Sequence, residues 1–260
     1  MSMLLIDAGN SRIKWASVHN QRPGRMQSAE WSHAALNPLV ARIFAGAPAR
    51  SRVWISNVAG AAVATSLRRA ASRAGCLPPV FARSARAFAA VRNAYARPQR
   101  LGVDRWLALI ASRQLFAAKP LCVVSIGTAV TVDWLQASGR HVGGVIVPGP
   151  GLMVRSLLRG TADIHRRADR SVPKPLNTLA ARDTRAAMET GAWHSITALT
   201  IQAVEPARWN EGRVPGLILT GGGAARVRQL LRHASPRLRP RVVPDLVLRG
   251  LAVQAAGKSS

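Results

Sequence analysis

Apolar residues along this chain come in short runs, several with a period of two, and three of the runs lead into a glycine turn. Residues 3–7 and 12–18 read as strands joined at Gly9-Asn10, with apolar and polar positions alternating after the turn. Residues 52–58 form another apolar strand, and 61–74 an alanine-rich helix with Arg68, Arg69 and Arg73 on its solvated side. Pro78-Pro79 breaks the chain before a short strand at 80–81. A helix is predicted from Asp104 to about 118, opened by an acidic residue that suits a helix N-terminus and ended by Pro120.

The second half repeats the scheme. Residues 121–125, the Gly127-Thr128 turn and residues 129–135 make a second strand–turn–strand unit. A strand at 141–147 follows, then a helix at about 152–158 opened by Pro148-Gly149-Pro150-Gly151. Residues 161–175 are basic, polar and proline-containing and read as a surface loop. A helix at 184–207, a strand at 217–220 running into Gly221-Gly222-Gly223, a helix at 224–233 and a short strand at 242–243 come next. Asp245 caps or opens a closing helix to about 256. Strands alternating with helices mean an α/β fold. The matching units at residues 3 and 121 predict two similar half-domains, 1–115 and 116–260, with a cleft between them.

Composition narrows this picture only slightly. The chain of 260 residues is long enough for one large or two smaller cores. No apolar stretch approaches the roughly 18–20 residues of a membrane helix, so no membrane partner is expected. The N-terminus runs straight into a strand pattern containing Asp7, which is not the pattern of a secretory signal. Cys76 and Cys122 are the two cysteines, too few for a disulfide scaffold and suited to a reducing cytoplasm. The net charge of +26 could attract nucleic acid, but four of the 37 basic residues are lysine and 33 are arginine, scattered without a long run. That skew, with abundant Ala and Gly, is what a GC-rich genome produces, and an aromatic content of 5% leaves few stacking platforms. Nucleic acid is therefore not expected as the primary partner. Attraction for anionic substrates such as ATP is a milder consequence.

The glycine turns carry more. Glycine lets a backbone approach a ligand closely, and successive exposed N–H groups form concavities that hold phosphate. Three such turns, accompanied by Asp, Asn, Ser and Thr, point to a nucleotide phosphotransferase.

Five stretches resemble the type III pantothenate kinases of the actin and sugar-kinase superfamily. Asp7-Ala8-Gly9-Asn10-Ser11 is similar to the first phosphate motif of that family, and Gly127-Thr128-Ala129-Val130-Thr131 to the second. Residues 95–105, with Tyr95, Pro98, Leu101, Gly102, Asp104 and Arg105, resemble its pantothenate signature Y-x-x-P-x-x-L-G-x-D-R, the most specific of the five. Gly143-Gly144-Val145-Ile146-Val147-Pro148-Gly149 resembles G-G-x-I-x-P-G, and residues 246–251 the closing L-x-L-x-G-L. The resemblance implies two ribonuclease-H-like (actin-like ATPase) domains flanking an ATP cleft. It implies ATP-dependent phosphorylation of the primary alcohol of pantothenate, the first step of coenzyme A synthesis, in a cytoplasmic homodimer with pantothenate near the subunit interface.

It also implies roles for residues. Asp104 would be the base that accepts the alcohol's proton, a role a carboxylate within hydrogen-bond reach can fill. Arg105 would pair with the substrate's carboxylate, which a guanidinium fork fits, and Tyr95, Gly102, Val103 and Thr184 would complete that pocket. Asp7 would hold Mg²⁺ through water, since that ion usually keeps part of its hydration shell. Ala8, Gly9, Asn10, Ser11, Arg12, Ile13 and Lys14 would line the phosphates with Thr128, and Gly221 and Gly222 would approach the adenosine.

Two positions depart from the family. Ser125 stands where an aspartate commonly ligates a monovalent cation, and a neutral oxygen is a much poorer ligand for K⁺ or NH₄⁺. The chain either works without that cation or supplies other ligands. Asp183 replaces the usual Asn before Thr184.

Each assignment has a plainer counterpart. Asp7 can be a turn-forming residue, Asp104 a helix-start carboxylate, Arg105 a surface arginine, Thr184 a helix N-cap and Lys14 a solvated strand residue. His141 and His165 show no metal spacing and His194 lies alone on a helix, and none of the three is assigned a role. The tail from Ala252 through Lys258 to Ser259 has the end of a P-loop, but alanine takes the first glycine position and no strand leads into it. Two rival functions remain at this point: another small-alcohol or sugar kinase of the superfamily, which the signature at 95–105 argues against, and a non-catalytic regulatory protein on the same fold, which the presence of both Asp7 and Asp104 argues against.

Overall fold

Period-two alternation decides which face of each strand is buried, and in the computed structural model it builds two sheets with the same plan. Residues 2–19, 22–117, 119–160, 179–205 and 214–257 are described. The expected loop at 161–175 with His165 and the P-loop-like Lys258-Ser259 lie outside them, and the helix expected at 184–207 ends at Ala203, with Val204 as its cap. The chain forms two compact units, one of Met1–Ala117, Gly139–His141 and Asp245–Ser260, the other of Ala118–Ser138 and Val142–Pro244.

In the first unit β1 (Met3–Ala8) turns back antiparallel into β2 (Arg12–His19). β3 (Arg22–Pro23) and β4 (Gln27–Glu30) pair with the outer side of β2. On the inner side β1 runs parallel to β5 (Arg52–Asn57), and β5 to β6 (Val80–Phe81). Leu4, Ile6, Ala8, Ile13, Trp15, Val53 and Ile55 share one face. They pack on Leu36, Leu39, Val40 and Ile43 of α1 (Leu36–Phe44) and on Val63, Leu67 and Ala71 of α2 (Ala61–Arg73). Each Leu, Ile or Val among them contributes about 1.5–3 kcal/mol when buried.

The opposite face carries Asp7, Lys14 and Ser56, one strand step out of phase with that core. α3 (Val103–Leu115) packs along α7 (Leu246–Ala256), and both touch β5. Gly250 permits the helix contact: a Cβ there would stand 2.1 Å from the Leu107 carbonyl oxygen. The closing helix was expected to end the second half-domain. It belongs instead to the first unit, because its apolar residues Leu246, Leu248 and Leu251 are buried there. The small hairpin of β7 (Ala87–Phe88) and β8 (Val91–Arg92) precedes the 93–105 segment.

The second unit repeats the order. Its sheet runs β11-β10-β9-β12-β13, against β3-β2-β1-β5-β6 in the first. β9 (Leu121–Ile126) and β10 (Ala129–Leu135) are the antiparallel hairpin, and β12 (Gly216–Thr220) and β13 (Arg241–Val242) continue parallel to β9. β11 (His141–Pro148) leads into α4 (Pro150–Gly160). Cys122, Val124, Ile126, Val130 and Val132 make a core with Ile196 and Ala203 of α5 (Thr184–Ala203) and Val227 and Leu231 of α6 (Ala224–Ala234). Burial pushes the Cys122 thiol up, so it is inert filling.

Candidate active site

In the first unit the end of β1 delivers Asp7 to a charged group on the α3 side of the sheet. Lys14 is its cross-strand partner on β2, and Ser56 its neighbour on β5. Burial above all, with the Asp104 charge adding to it, holds the Asp7 carboxyl up at about 6, while Lys14 and the Ser56 hydroxyl act the other way. Ser56 Oγ is fully buried without a hydrogen bond of standard geometry, yet stands close enough to Asp7 to favour its ionised form. Sequence reasoning missed Ser56, because its place follows from strand register and not from any motif.

The turn after Asp7 is held by its own backbone and by a tryptophan. Gly9 N–H donates to the Arg12 carbonyl at 3.0 Å, and Trp31 Nε1 donates to the Gly9 carbonyl at 2.9 Å. Trp31 N–H reaches the Ser11 carbonyl at 3.3 Å. Asn10 and Ser11 are exposed at the tip. Arg12 pairs with Glu30 at 2.6 Å on the surface. Ala8 and Ile13 are wholly buried in the core, so any part they play toward a nucleotide falls to their backbone.

α3 opens with Gly102 as its cap and Asp104 in its first turn, where a carboxylate complements the helix dipole. Asp104 folds back on the helix start: its Oδ1 accepts from Arg105 N–H at 2.8 Å. A Cβ on Gly102 would stand 2.8 Å from that oxygen, so the glycine of the 95–105 segment leaves room for the carboxylate. Val103, also in the first turn, is half-buried. Arg105 is only 6% exposed and donates from Nη1 to Tyr95 Oη at 3.0 Å. Ahead of Tyr95, buried Asn93 braces the loop, donating to the Ala85 and Pro98 carbonyls at 3.2 Å each and accepting from Tyr95 N–H at 3.0 Å. The plainer reading of Arg105 as a surface arginine does not hold. His141, assigned no role from sequence, is buried against Tyr95.

In the second unit the remaining glycine motifs pack on one another. Gly127 N–H donates to the Ala129 carbonyl at 3.0 Å, and Gly149 N–H to the Thr128 carbonyl at 2.8 Å. A Cβ on Gly149 would lie 2.1 Å from the Gly127 oxygen. Gly221, at φ +87°, comes so near Ile126 that a Cβ would lie 2.4 Å from its carbonyl oxygen, and Gly222 is exposed beside it. Gly223 N–H donates to that same carbonyl at 3.0 Å. The second phosphate turn, the P-G motif and the triple glycine thus form one backbone cradle. Ser125 stands between Thr131 and Thr220, as Asp7 stands between Lys14 and Ser56. Three hydroxyl side chains replace a carboxylate, a lysine and a serine.

Asp183, not Thr184, caps α5: its carboxylate accepts from Ala186 N–H at 2.8 Å. The aspartate therefore serves as an N-cap. Thr184 is the first helical residue, half-buried, and the cap reading for it falls.

Residues 3–234 match the family described as type III pantothenate kinase. A type III pantothenate kinase from Azoarcus sp. strain BH72 is 40% identical over 259 residues, 99% of this chain and 92% of that protein. One from Nitrosococcus oceani is 34% identical over 254 residues, covering 96% and 92% respectively. Among solved structures, MreB 5 of Spiroplasma citri bound to AMPPNP superposes with a TM-score of 0.56 at 11% identity, over 99% of this chain and 97% of that one, which is likeness of fold alone. The fold is the two-domain actin-like ATPase fold.

Proposed function

The chain belongs to the type III pantothenate kinase family and phosphorylates pantothenate with ATP, the first step of coenzyme A synthesis; from that premise we propose which of its residues carry the reaction. Asp104 is the base. The primary alcohol oxygen of pantothenate forms a bond to the γ-phosphorus, its proton passes to Asp104, and the bond to the bridging oxygen breaks to release ADP. Arg105 takes the substrate's carboxylate in its guanidinium fork, with Tyr95, Gly102, Val103 and Thr184 around the substrate. Asp7 with the backbone from Ala8 to Ile13, the side chains of Asn10, Ser11, Arg12 and Lys14, and Thr128 of the second unit hold the phosphates. Gly221 and Gly222 face the adenosine. The observation that carries this reading is that Lys14 and Asp104 both lie within electrostatic reach of Asp7, with Arg105 next in sequence to Asp104 and bonded to Tyr95.

The donor set suits Mg²⁺. Among the described residues no cluster of three or more His, Cys, Asp or Glu forms a closed metal cage. A single desolvated carboxylate beside an orphaned serine hydroxyl fits an ion that keeps its waters and takes its other ligands from phosphate. Asp7 would hold it through water, and when bound it offsets the phosphate charge. At Ser125 a tightly held monovalent cation is not supported, since Thr131 and Thr220 beside it are neutral as well.

We also propose a homodimer in the cytoplasm. Val142 and Ile146, on one face of β11, are 54% and 60% exposed apolar side chains, and such exposure suits a contact with a second copy. Cys76 and Cys122 are both free thiols, which suits a reducing compartment.

The decisive experiment is ATP-dependent formation of 4′-phosphopantothenate by wild type and Asp104→Asn. A positioned base contributes about 10²–10⁴-fold, so the variant should lose that much in kcat with little change in KM for ATP. Undiminished turnover by the variant would remove Asp104 from the role of base.

A further inference from the structure

Gly139, Arg140 and His141 interrupt the second unit in sequence but pack within the first. Arg92 N–H donates to the Gly139 carbonyl at 3.0 Å, and Arg92 and Arg140 form an isolated parallel bridge. At Gly139 φ is +85°, and a Cβ would stand 1.7 Å from the Ala90 carbonyl oxygen, so this close approach to the β7–β8 hairpin admits only glycine. Two residues on, the His141 side chain is completely buried. Its ring lies against that of Tyr95 with centroids 6.2 Å apart and planes 14° apart, an offset stack. Ala94 N–H donates to His141 Nδ1 at 3.5 Å, which ties the ring to the residue before Tyr95. Tyr95 Oη accepts from Arg105 Nη1 at 3.0 Å, and the guanidinium carbon lies 5.8 Å from the Tyr95 ring centroid.

We propose that His141 is a positioning residue for the pantothenate pocket: its buried ring sets the plane of Tyr95, and Tyr95 in turn aims the Arg105 guanidinium. This rests on the reading of Tyr95 and Arg105 as substrate-binding groups. Tyr95 stands on a loop outside any helix or strand, and its N–H donates to Asn93 Oδ1 at 3.0 Å, a bond that holds the backbone but not the plane of the ring. The flat partner beneath it sets that plane. Arg105 is anchored by its helix at one end and by the phenol oxygen at the other, so a tilt of the ring displaces the fork from where a carboxylate must meet it. The loop that presents Tyr95 is thereby held from below by a segment more than 40 positions further along the chain.

The test compares His141→Phe, which keeps a flat ring, with His141→Leu, which fills similar space without one, and uses Tyr95→Ala as a reference. Steady-state KM values for pantothenate and ATP, kcat and thermal midpoint are read for each. A stacked ring pair corresponds to about a threefold to tenfold effect, so His141→Leu should raise KM for pantothenate by that factor and leave KM for ATP unchanged. His141→Phe should recover most of the loss. Equal KM values for pantothenate in Phe and Leu variants would overturn the proposal, as would a fall in thermal midpoint with no change in KM. If Tyr95→Ala raises KM for pantothenate while His141→Leu does not, His141 alone is excluded; if Tyr95→Ala also leaves it unchanged, the assignment of Tyr95 to the substrate fails.

Discussion

Asp104, in the first turn of α3, acts on Asp7 at the end of β1, and its charge adds to burial in holding the Asp7 carboxyl at about 6. The folded protein therefore binds the Asp7 proton more tightly than the unfolded chain, whose ordinary value is 3.8. The associated stability is fully present below that ordinary value and is lost as pH rises through about 6. Over that window the cost is on the order of 3 kcal/mol. Asp7→Asn removes it. Urea unfolding of both proteins at pH 4 and pH 7 should show wild type losing stability relative to the variant as pH rises; parallel behaviour at the two values would contradict it.

In the role proposed for Asp7, the same carboxyl is ionised when it holds a hydrated Mg²⁺ beside ATP. The value of kcat/KM for ATP should therefore fall on the acid side with a midpoint near 6. Lys14 lowers the Asp7 value, so Lys14→Met should move this midpoint to higher pH. An unmoved midpoint would mean that a different group governs the acid limb.

Gly102→Ala tests the room made for Asp104. Gly102 has φ −53°, a backbone any residue adopts, so alanine brings no strain there. Its Cβ would instead meet Asp104 Oδ1 at 2.8 Å and push the carboxylate aside. Displacement of about 1 Å at a reacting group can cost about 10²-fold, so kcat should fall by roughly one to two orders of magnitude while the thermal midpoint changes little. A variant with normal kcat would show that the carboxylate position is not critical.

Gly250→Ala should do the reverse. Its Cβ would stand 2.1 Å from a backbone oxygen of α3, and overpacking of this kind costs about 1–3 kcal/mol. The urea midpoint should drop, and kcat per folded molecule should be largely kept.

These positions differ in how far the sequence reveals them. The β1–β2 and β9–β10 hairpins are legible because alternating apolar residues meet a glycine turn, and register then follows. α1 is not, although Leu36, Leu39, Val40 and Ile43 have helical spacing, because Pro38 reads as a breaker; in a first turn, proline is tolerated. β4, Gln-Ser-Ala-Glu, is a polar edge strand with no alternation to detect. The hairpin of β7 and β8 turns through Ala89 at φ +50°, which an Ala-Ala pair does not advertise. The closing helix is legible as a helix, but only the contact of Gly250 with Leu107 shows which unit it joins. In the site, Asp7, Asp104, Arg105 and Tyr95 are carried by motifs. Ser56, Trp31 and His141 come from pairing and packing between distant segments, and no local pattern marks them.

The correspondence of Ser125 with Asp7 yields the last prediction. Each is flanked in its sheet by two side chains on the same face, Lys14 and Ser56 for Asp7, Thr131 and Thr220 for Ser125. A carboxylate at Ser125 would find two hydroxyl oxygens beside it and no lysine to neutralise it, a donor set suited to a large monovalent cation. Ser125 offers that cation only neutral oxygens. Wild-type turnover should therefore respond weakly when K⁺ is replaced by a large organic cation at constant ionic strength. Ser125→Asp should acquire a saturable dependence on K⁺ or NH₄⁺, with reduced turnover in their absence because the new carboxylate then lacks a counter-charge beside it. Strict saturable K⁺ dependence in the wild type would show instead that other groups bind the cation, and Asp133, the buried carboxylate two pairs further along β10 on the same sheet face as Thr131, would be the first to substitute.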